Sequence, residues 1–234
     1  MIKLSNVEKT FGSVRAVDKI SFTIERGEIF GLLGKNGAGK TTTIKMLTLQ
    51  LKPTAGEIFF DDKSIRGNEI FVKSLLGLVP QHLNFDQDLT VEENLELHAR
   101  LHHLSKIERR ERISDLLKFV DLEKVRNSFV RELSGGMKRR LLIIRALIHH
   151  PKILFLDEPT VALDPQVRRK IWELIADLKA QGITIVLTTH YIEEAEFLCD
   201  RVAILNRGRL VALDTTENLC AGRSLEEKFI KLTE

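Results

Sequence analysis

Two cysteines, one tryptophan and one tyrosine are all that 234 residues hold of these types. Nor does any apolar run approach the roughly 18 residues a membrane-crossing helix needs. Each scarcity excludes something. Cys199 and Cys220 have no metal-ligand spacing and form no framework, so a zinc site and a disulfide scaffold are set aside and both are expected as reduced structural thiols. The amino terminus has no basic stretch leading into an apolar core, so a cytoplasmic location is expected. Charge of one sign is also in short supply: 36 Lys and Arg face 33 Asp and Glu, a net of +3. That balance gives no argument for a nucleic-acid partner, and the run Lys138-Arg139-Arg140 reads as the solvated face of a helix. What is present is ordinary for a folded domain, 43% hydrophobic and 29% charged residues, without repeats, low-complexity tracts or long linkers. One core, with room for an inserted subdomain, is expected.

The pattern along the chain places the elements coarsely. Short alternating segments between Ile2 and Ile24 predict a small, mostly antiparallel sheet. Ile29-Phe30-Gly31-Leu32-Leu33 predicts a buried strand that runs into a glycine-rich loop and a helix from about Thr41. Two capping boxes, Thr90 to Glu93 and Ser105 to Glu108, predict helices across the middle, where strand signals are absent. Another helix, with an apolar face at Met137, Leu141, Ile144 and Ile148, follows Gly135-Gly136. Buried strands return at Ile153–Leu156 and Ile183–Leu187, separated by a helix that Asp164 caps and Pro165 opens. Val202–Leu205 and Leu210–Leu213, joined through Asn206-Arg207-Gly208-Arg209, predict a closing hairpin. The class is α/β.

Chemistry enters with Gly34-Lys35-Asn36-Gly37-Ala38-Gly39-Lys40-Thr41, which fits G-x-x-x-x-G-K-[ST] between a strand and a helix. Backbone N–H groups of such a loop turn inward around phosphates, and the helix amino terminus adds partial positive charge. Lys40 can reach the β- and γ-phosphates, and Thr41, followed by Thr42, offers its hydroxyl to Mg²⁺. Four apolar residues, Ile153 to Leu156, then deliver Asp157 and Glu158 to the carboxyl end of a strand, where ligands of parallel sheets sit. Asp157 is expected to hold Mg²⁺ through water, and Glu158 to polarise the attacking water as general base.

Leu133-Ser134-Gly135-Gly136-Met137 before a helix resembles the signature of the ATP-binding-cassette (ABC) family, and the resemblance covers essentially the whole chain. It implies a P-loop NTPase of ABC type, with a RecA-like parallel-sheet core and an antiparallel β subdomain (residues 1–84 and 150–234). Residues 85–149 would form an inserted helical subdomain. By the same resemblance Phe11 would stack on adenine, and Gln81 would sense Mg²⁺ and join its ligands. Asp164 would be the acid of the D-loop, and His190 the switch histidine. Ser134, Gly135 and Gly136 would contact the γ-phosphate of ATP held by a second, identical subunit in a head-to-tail dimer.

Lys35, Met137 and Ala162 depart from the commonest family pattern, with alanine resisting the positive φ that glycine allows in the D-loop. Leu133-Ser134-Gly135-Gly136-Met137-Lys138-Arg139-Arg140-Leu141, the segment Thr188 to Glu196 and the ending Ser224 to Phe229 are similar to ATPase subunits of ABC-2-type exporters. Such subunits bind ATP and Mg²⁺ and serve a separate polytopic membrane subunit. They sit on the cytoplasmic face of the inner membrane. A non-transport ABC ATPase of DNA maintenance or translation is the second reading. Those resemble split cassettes around coiled coils or paired cassettes on one chain, features this sequence does not have.

Overall fold

The computed structural model describes residues 1–220 and 224–234. Strands apolar on both faces must be covered on both. β3 (Ile29–Leu33), β7 (Ile153–Asp157) and β8 (Thr184–Thr189) are buried along their whole length at the centre of a six-stranded sheet. With β6 (Leu76–Val79), β9 (Arg201–Asn206) and β10 (Arg209–Thr215) the order is β10-β9-β3-β8-β7-β6. Pairing is parallel from β9 to β6, and the β9–β10 hairpin adds an antiparallel edge. Successive residues feed opposite cores: Leu154 and Leu156 pack with the helices, Ile153 and Phe155 towards a second sheet.

That second sheet contains β1 (Ile2–Phe11), β2 (Val14–Ile24), β4 (Ala55–Phe60) and β5 (Lys63–Ser64), in the order β2-β1-β4-β5. All its pairings are antiparallel, with Ile2 opposite Ile24 and Leu4 opposite Phe22. Phe22 stacks on Phe30 of β3 with ring centroids 5.2 Å apart, which joins the two sheets.

The helices are α1 (Lys40–Leu47), α2 (Glu69–Leu75), α3 (Val91–Leu101), α4 (Lys106–Phe119), α5 (Gly135–Ala146), α6 (Pro165–Ala180), α7 (Ile192–Leu198), α8 (Thr216–Cys220) and α9 (Leu225–Thr233). Both capping boxes form. The Thr90 hydroxyl accepts from the Glu93 N–H at 3.2 Å, and the Glu93 carboxylate accepts from the Thr90 N–H at 2.8 Å. Ser105 and Glu108 repeat the arrangement at α4. Leu95, Leu117 and Leu141, from α3, α4 and α5, meet in the helical core.

Several boundaries differ from the sequence reading. α1 begins at Lys40, β8 runs from Thr184 to Thr189, and α5 ends before Ile148, which is buried beyond it. Leu142 and Ile143 are as buried as Leu141 and Ile144, so α5 has no single apolar stripe. Asp164 stands at the cap position just before α6 and Pro165 opens the helix, but the Asp164 side chain makes no capping bond. β6 gives little periodic signal in four residues, yet Gly77 has a visible task there: a Cβ would lie 2.5 Å from the Ala146 carbonyl oxygen. Cys199 and Cys220 are both free.

At the joint between helices and sheet, three histidines gather. His102 lies parallel to His149 at 3.8 Å, and His98 follows at 5.0 Å. His149 Nε2 faces the Leu76 carbonyl at 2.9 Å, while its Nδ1 is buried without a partner among the described residues. Burial pushes His98 and His149 down from 6.5 to about 4; for His98 the neighbouring Arg145 and His102 add to it, for His149 His102, His150 and Arg112. Unfolded histidines take up protons before these do, so stability falls as pH drops from 6.5 towards 4. Melting curves across that window are expected to show a declining midpoint, and His149→Gln to flatten the decline. An unchanged slope in the variant contradicts the assignment.

Candidate active site

The glycine-rich loop leaves β3 and closes at Gly39, whose φ of 103° is left-handed and whose absent Cβ would sit 2.6 Å from the Ala16 carbonyl oxygen. No acidic residue occupies the first turn of α1, so the partial positive charge of its amino terminus is uncompensated there. Lys40, the first residue of α1, is 5% exposed and donates to the carbonyl oxygens of Gly34 at 2.7 Å and Lys35 at 3.3 Å. Burial lowers its pKa, opposed by the charges of Glu158 and Asp157.

Both carboxylates arrive at the carboxyl end of β7. Asp157 Oδ1 accepts from Thr188 Oγ1 at 2.6 Å and Thr41 Oγ1 at 3.2 Å. Glu158 is the hub of the site. Its Oε1 lies 3.8 Å from Lys40 Nζ and 3.2 Å from His190 Nδ1, and its Oε2 accepts from Gln81 Nε2 at 3.1 Å. Phe11, Asn36, Gly37, Ala38, Gly39, Lys40, Thr41, Thr42, Gln81, Glu158 and His190 line one cavity of about 710 Å³, which Ala16 and Val161 complete. A phosphate cradle, a buried ammonium and a carboxylate beside two polar neighbours can bind a nucleotide triphosphate and direct a water at it.

Residues 17–161 match the family model described as ABC transporter. The chain belongs to the ABC transporter family. A Nod factor export ATP-binding protein I of Ralstonia nicotianae is 45% identical over 212 residues, 91% of this chain and 66% of that one. Its counterpart in Rhizobium sp. strain N33 is 47% identical over 211 residues, 90% of this chain and 69% of the other. The chain thus spans about two thirds of the length of these relatives. Among solved structures, the ATP-binding subunit of an ABC transporter superposes with a TM-score of 0.89 at 30% identity, covering all of both chains. A dimeric ATP-binding cassette in a post-hydrolysis state with ADP and phosphate has a TM-score of 0.82 at 33% identity, covering 92% of this chain and 99% of that one. This ABC chain therefore has the α/β fold and ATP-hydrolysing character of a cassette ATPase.

Not every expected residue of the cassette reaches the cavity. Gly34 and Asp157 lie behind its lining, where they hold Lys40 and Thr41. Ser134, Gly135 and Gly136 sit apart from it at the amino terminus of α5, where the exposed Ser134 accepts from the Met137 N–H at 3.3 Å. Asp164 is likewise exposed and outside. Ala162 adopts φ 60°, the left-handed conformation that glycine would take without strain.

Three supporting residues escaped the sequence reading. Thr188, at the end of β8, braces Asp157 and also accepts from the Glu158 N–H at 3.0 Å. A polar pair, Thr188-Thr189, after the apolar run Ile185 to Leu187 was the available signal. Arg139 corrects the solvated-face reading of Lys138-Arg139-Arg140: it is 4% exposed, because it turns inward to donate to the carbonyls of Pro80 and Gln81, both at 3.1 Å. It thereby ties the segment carrying Gln81 to α5. Lys35 donates to the Thr233 carbonyl at 3.3 Å, so α9 contacts the phosphate loop.

Proposed function

We propose that this chain is the ATPase of an ABC-2-type exporter, closing as a head-to-tail dimer of identical subunits on ATP and reopening after hydrolysis. One observation supports it above others: the cavity gathers Lys40, Gln81, Glu158 and His190, while Ser134 stands exposed at a separate helix amino terminus. Each chain then carries two half-sites. Ser134, Gly135 and Gly136 of one subunit would bind the γ-phosphate held by the other, with Asp164 at the same junction. Charge-assisted hydrogen bonds at a helix amino terminus favour closure, and loss of that phosphate removes them.

Within one site, Phe11 stands half exposed at the cavity wall, available to stack on adenine. The loop from Gly34 to Thr42 and Lys40 would hold the phosphates. Mg²⁺ fits the donor chemistry, because the Thr41 hydroxyl and Asp157 carboxylate converge within 3.2 Å and both are hard oxygen donors, with the Gln81 amide nearby. When bound, it would neutralise charge on the β- and γ-phosphates. Glu158 would take the proton of the attacking water, and His190, against its carboxylate, would orient it and the γ-phosphate.

Among the described residues no helix is long and apolar enough to cross a membrane, so export would need a separate polytopic subunit. The chain would then sit on the cytoplasmic face of the inner membrane, with Gln81 and the helices α3 to α5 passing movement on. Relatives named for Nod factor export support export over import. The test is gentle detergent solubilisation of membranes containing the tagged chain, followed by identification of what co-purifies. A polytopic membrane protein is expected. Ribosomes or DNA-repair factors in its place would overturn the transport reading and leave the ATPase.

A further inference from the structure

Glu194 is a carboxylate in the wrong place for an ordinary surface acid. It lies on α7, four residues beyond His190, with no solvent exposure at all. Its Oε1 accepts from Thr160 Oγ1 at 2.6 Å and from the indole N–H of Trp172 at 2.9 Å. Its Oε2 has no hydrogen-bond partner among the described residues; burial lowers the pKa of the Arg139 guanidinium, and Glu194 opposes that lowering. A buried polar group that is incompletely partnered is costly to keep, and replacing such a group and its partners by apolar side chains is often no less stable. Its task is better sought in what it holds.

Thr160 sits two residues after Glu158, inside a turn of unusual backbone. Glu158 has φ 48° and Ala162 φ 60°, so two non-glycine residues in the left-handed region flank it. Such conformations persist only where the surroundings over-determine them. On the upstream side the constraint is Thr188, which receives the Glu158 N–H on both its hydroxyl and its carbonyl oxygen. Downstream, the Val161 N–H reaches the Glu158 carbonyl and the Leu163 N–H the Thr160 carbonyl, bonds internal to the turn. Beyond Glu158 itself, the side-chain hydrogen bond that ties the turn to the rest of the molecule, among the described residues, is Thr160 to Glu194.

We propose that Glu194 is a positioning residue for hydrolysis: through Thr160 it holds the turn from Glu158 to Asp164 in its left-handed form. It thereby sets where the Glu158 carboxylate points and couples that turn to the segment carrying His190. This rests on Glu158 as general base. The helix that follows the switch histidine and the turn that follows the base then move as one piece, with Arg139 bringing the Gln81 segment against it.

The decisive comparison is between the two donors that share Oε1. Thr160→Val keeps the volume and removes the hydroxyl, Thr160→Ser keeps the hydroxyl, and Trp172→Phe removes the other donor from the same oxygen. In the purified chain, Thr160→Val is expected to lower kcat about tenfold or more, since misplacement by an ångström can cost up to a hundredfold. Affinity for a fluorescent ATP analogue should stay within about twofold, and Thr160→Ser and Trp172→Phe should keep kcat within about twofold of wild type even where Trp172→Phe melts lower. Wild-type kcat in Thr160→Val overturns the proposal, as does a loss in Thr160→Val and Trp172→Phe alike that follows only melting temperature. Failure of Thr160→Ser to restore turnover overturns it too. If Glu158→Gln retains turnover, the functional reading beneath the proposal falls, and the latch with it.

Discussion

Glu158→Gln is expected to reduce ATP turnover by about a hundredfold to ten-thousandfold, the range that positioned general bases contribute. Glutamine fills the same space at the end of β7 and can still meet Gln81 and His190, but it cannot accept a proton from water. Affinity for ATP should be retained or tightened. The phosphate cradle and Lys40 are untouched, and one negative charge 3.8 Å from Lys40 Nζ, on the wall of the cavity that receives the phosphates, is gone. Phosphate release and fluorescent-nucleotide titration separate the two effects. A variant that loses binding and turnover together would place Glu158 in binding rather than chemistry.

Lys40→Ala is expected to act in the opposite order, through binding. The ammonium is buried, held above the loop by two carbonyl oxygens, and charge-assisted hydrogen bonds to phosphate contribute about 1.5–3 kcal/mol each. ATP affinity should therefore fall about tenfold to a hundredfold, and turnover with it. Removing Lys40 also leaves Asp157 and Glu158 without their buried counter-charge, which worsens repulsion of the triphosphate. An unchanged dissociation constant by isothermal titration would contradict this role.

Some elements were legible in the sequence and others were not. Capping boxes at Thr90 and Ser105 are local chemistry, and both formed as their spacing asks. β3 and β7 were legible because a strand buried on both faces must be apolar throughout. β6 was not, since four residues with a glycine carry no period; its place at the edge is set by β7 and by the approach of α5 over Gly77. In the site, Lys40, Thr41, Asp157 and Glu158 followed from motif and strand ends. Arg139 did not, because a charge run says nothing of which member turns inward to unpaired carbonyls. Nor did Thr188 or Glu194, whose importance depends on neighbours about thirty residues away in sequence. The left-handed backbone of Glu158 and Ala162 is likewise a tertiary imposition that local preference opposes.

On the proposed function, ATP joins two copies of this chain through the exposed Ser134 helix end of one and the nucleotide cavity of the other. Light scattering coupled to size exclusion on Glu158→Gln, run with saturating ATP and with ADP, tests it most directly. Twice the chain mass is expected with ATP and a single-chain mass with ADP. A single-chain mass under saturating ATP, with binding confirmed by titration, would contradict it.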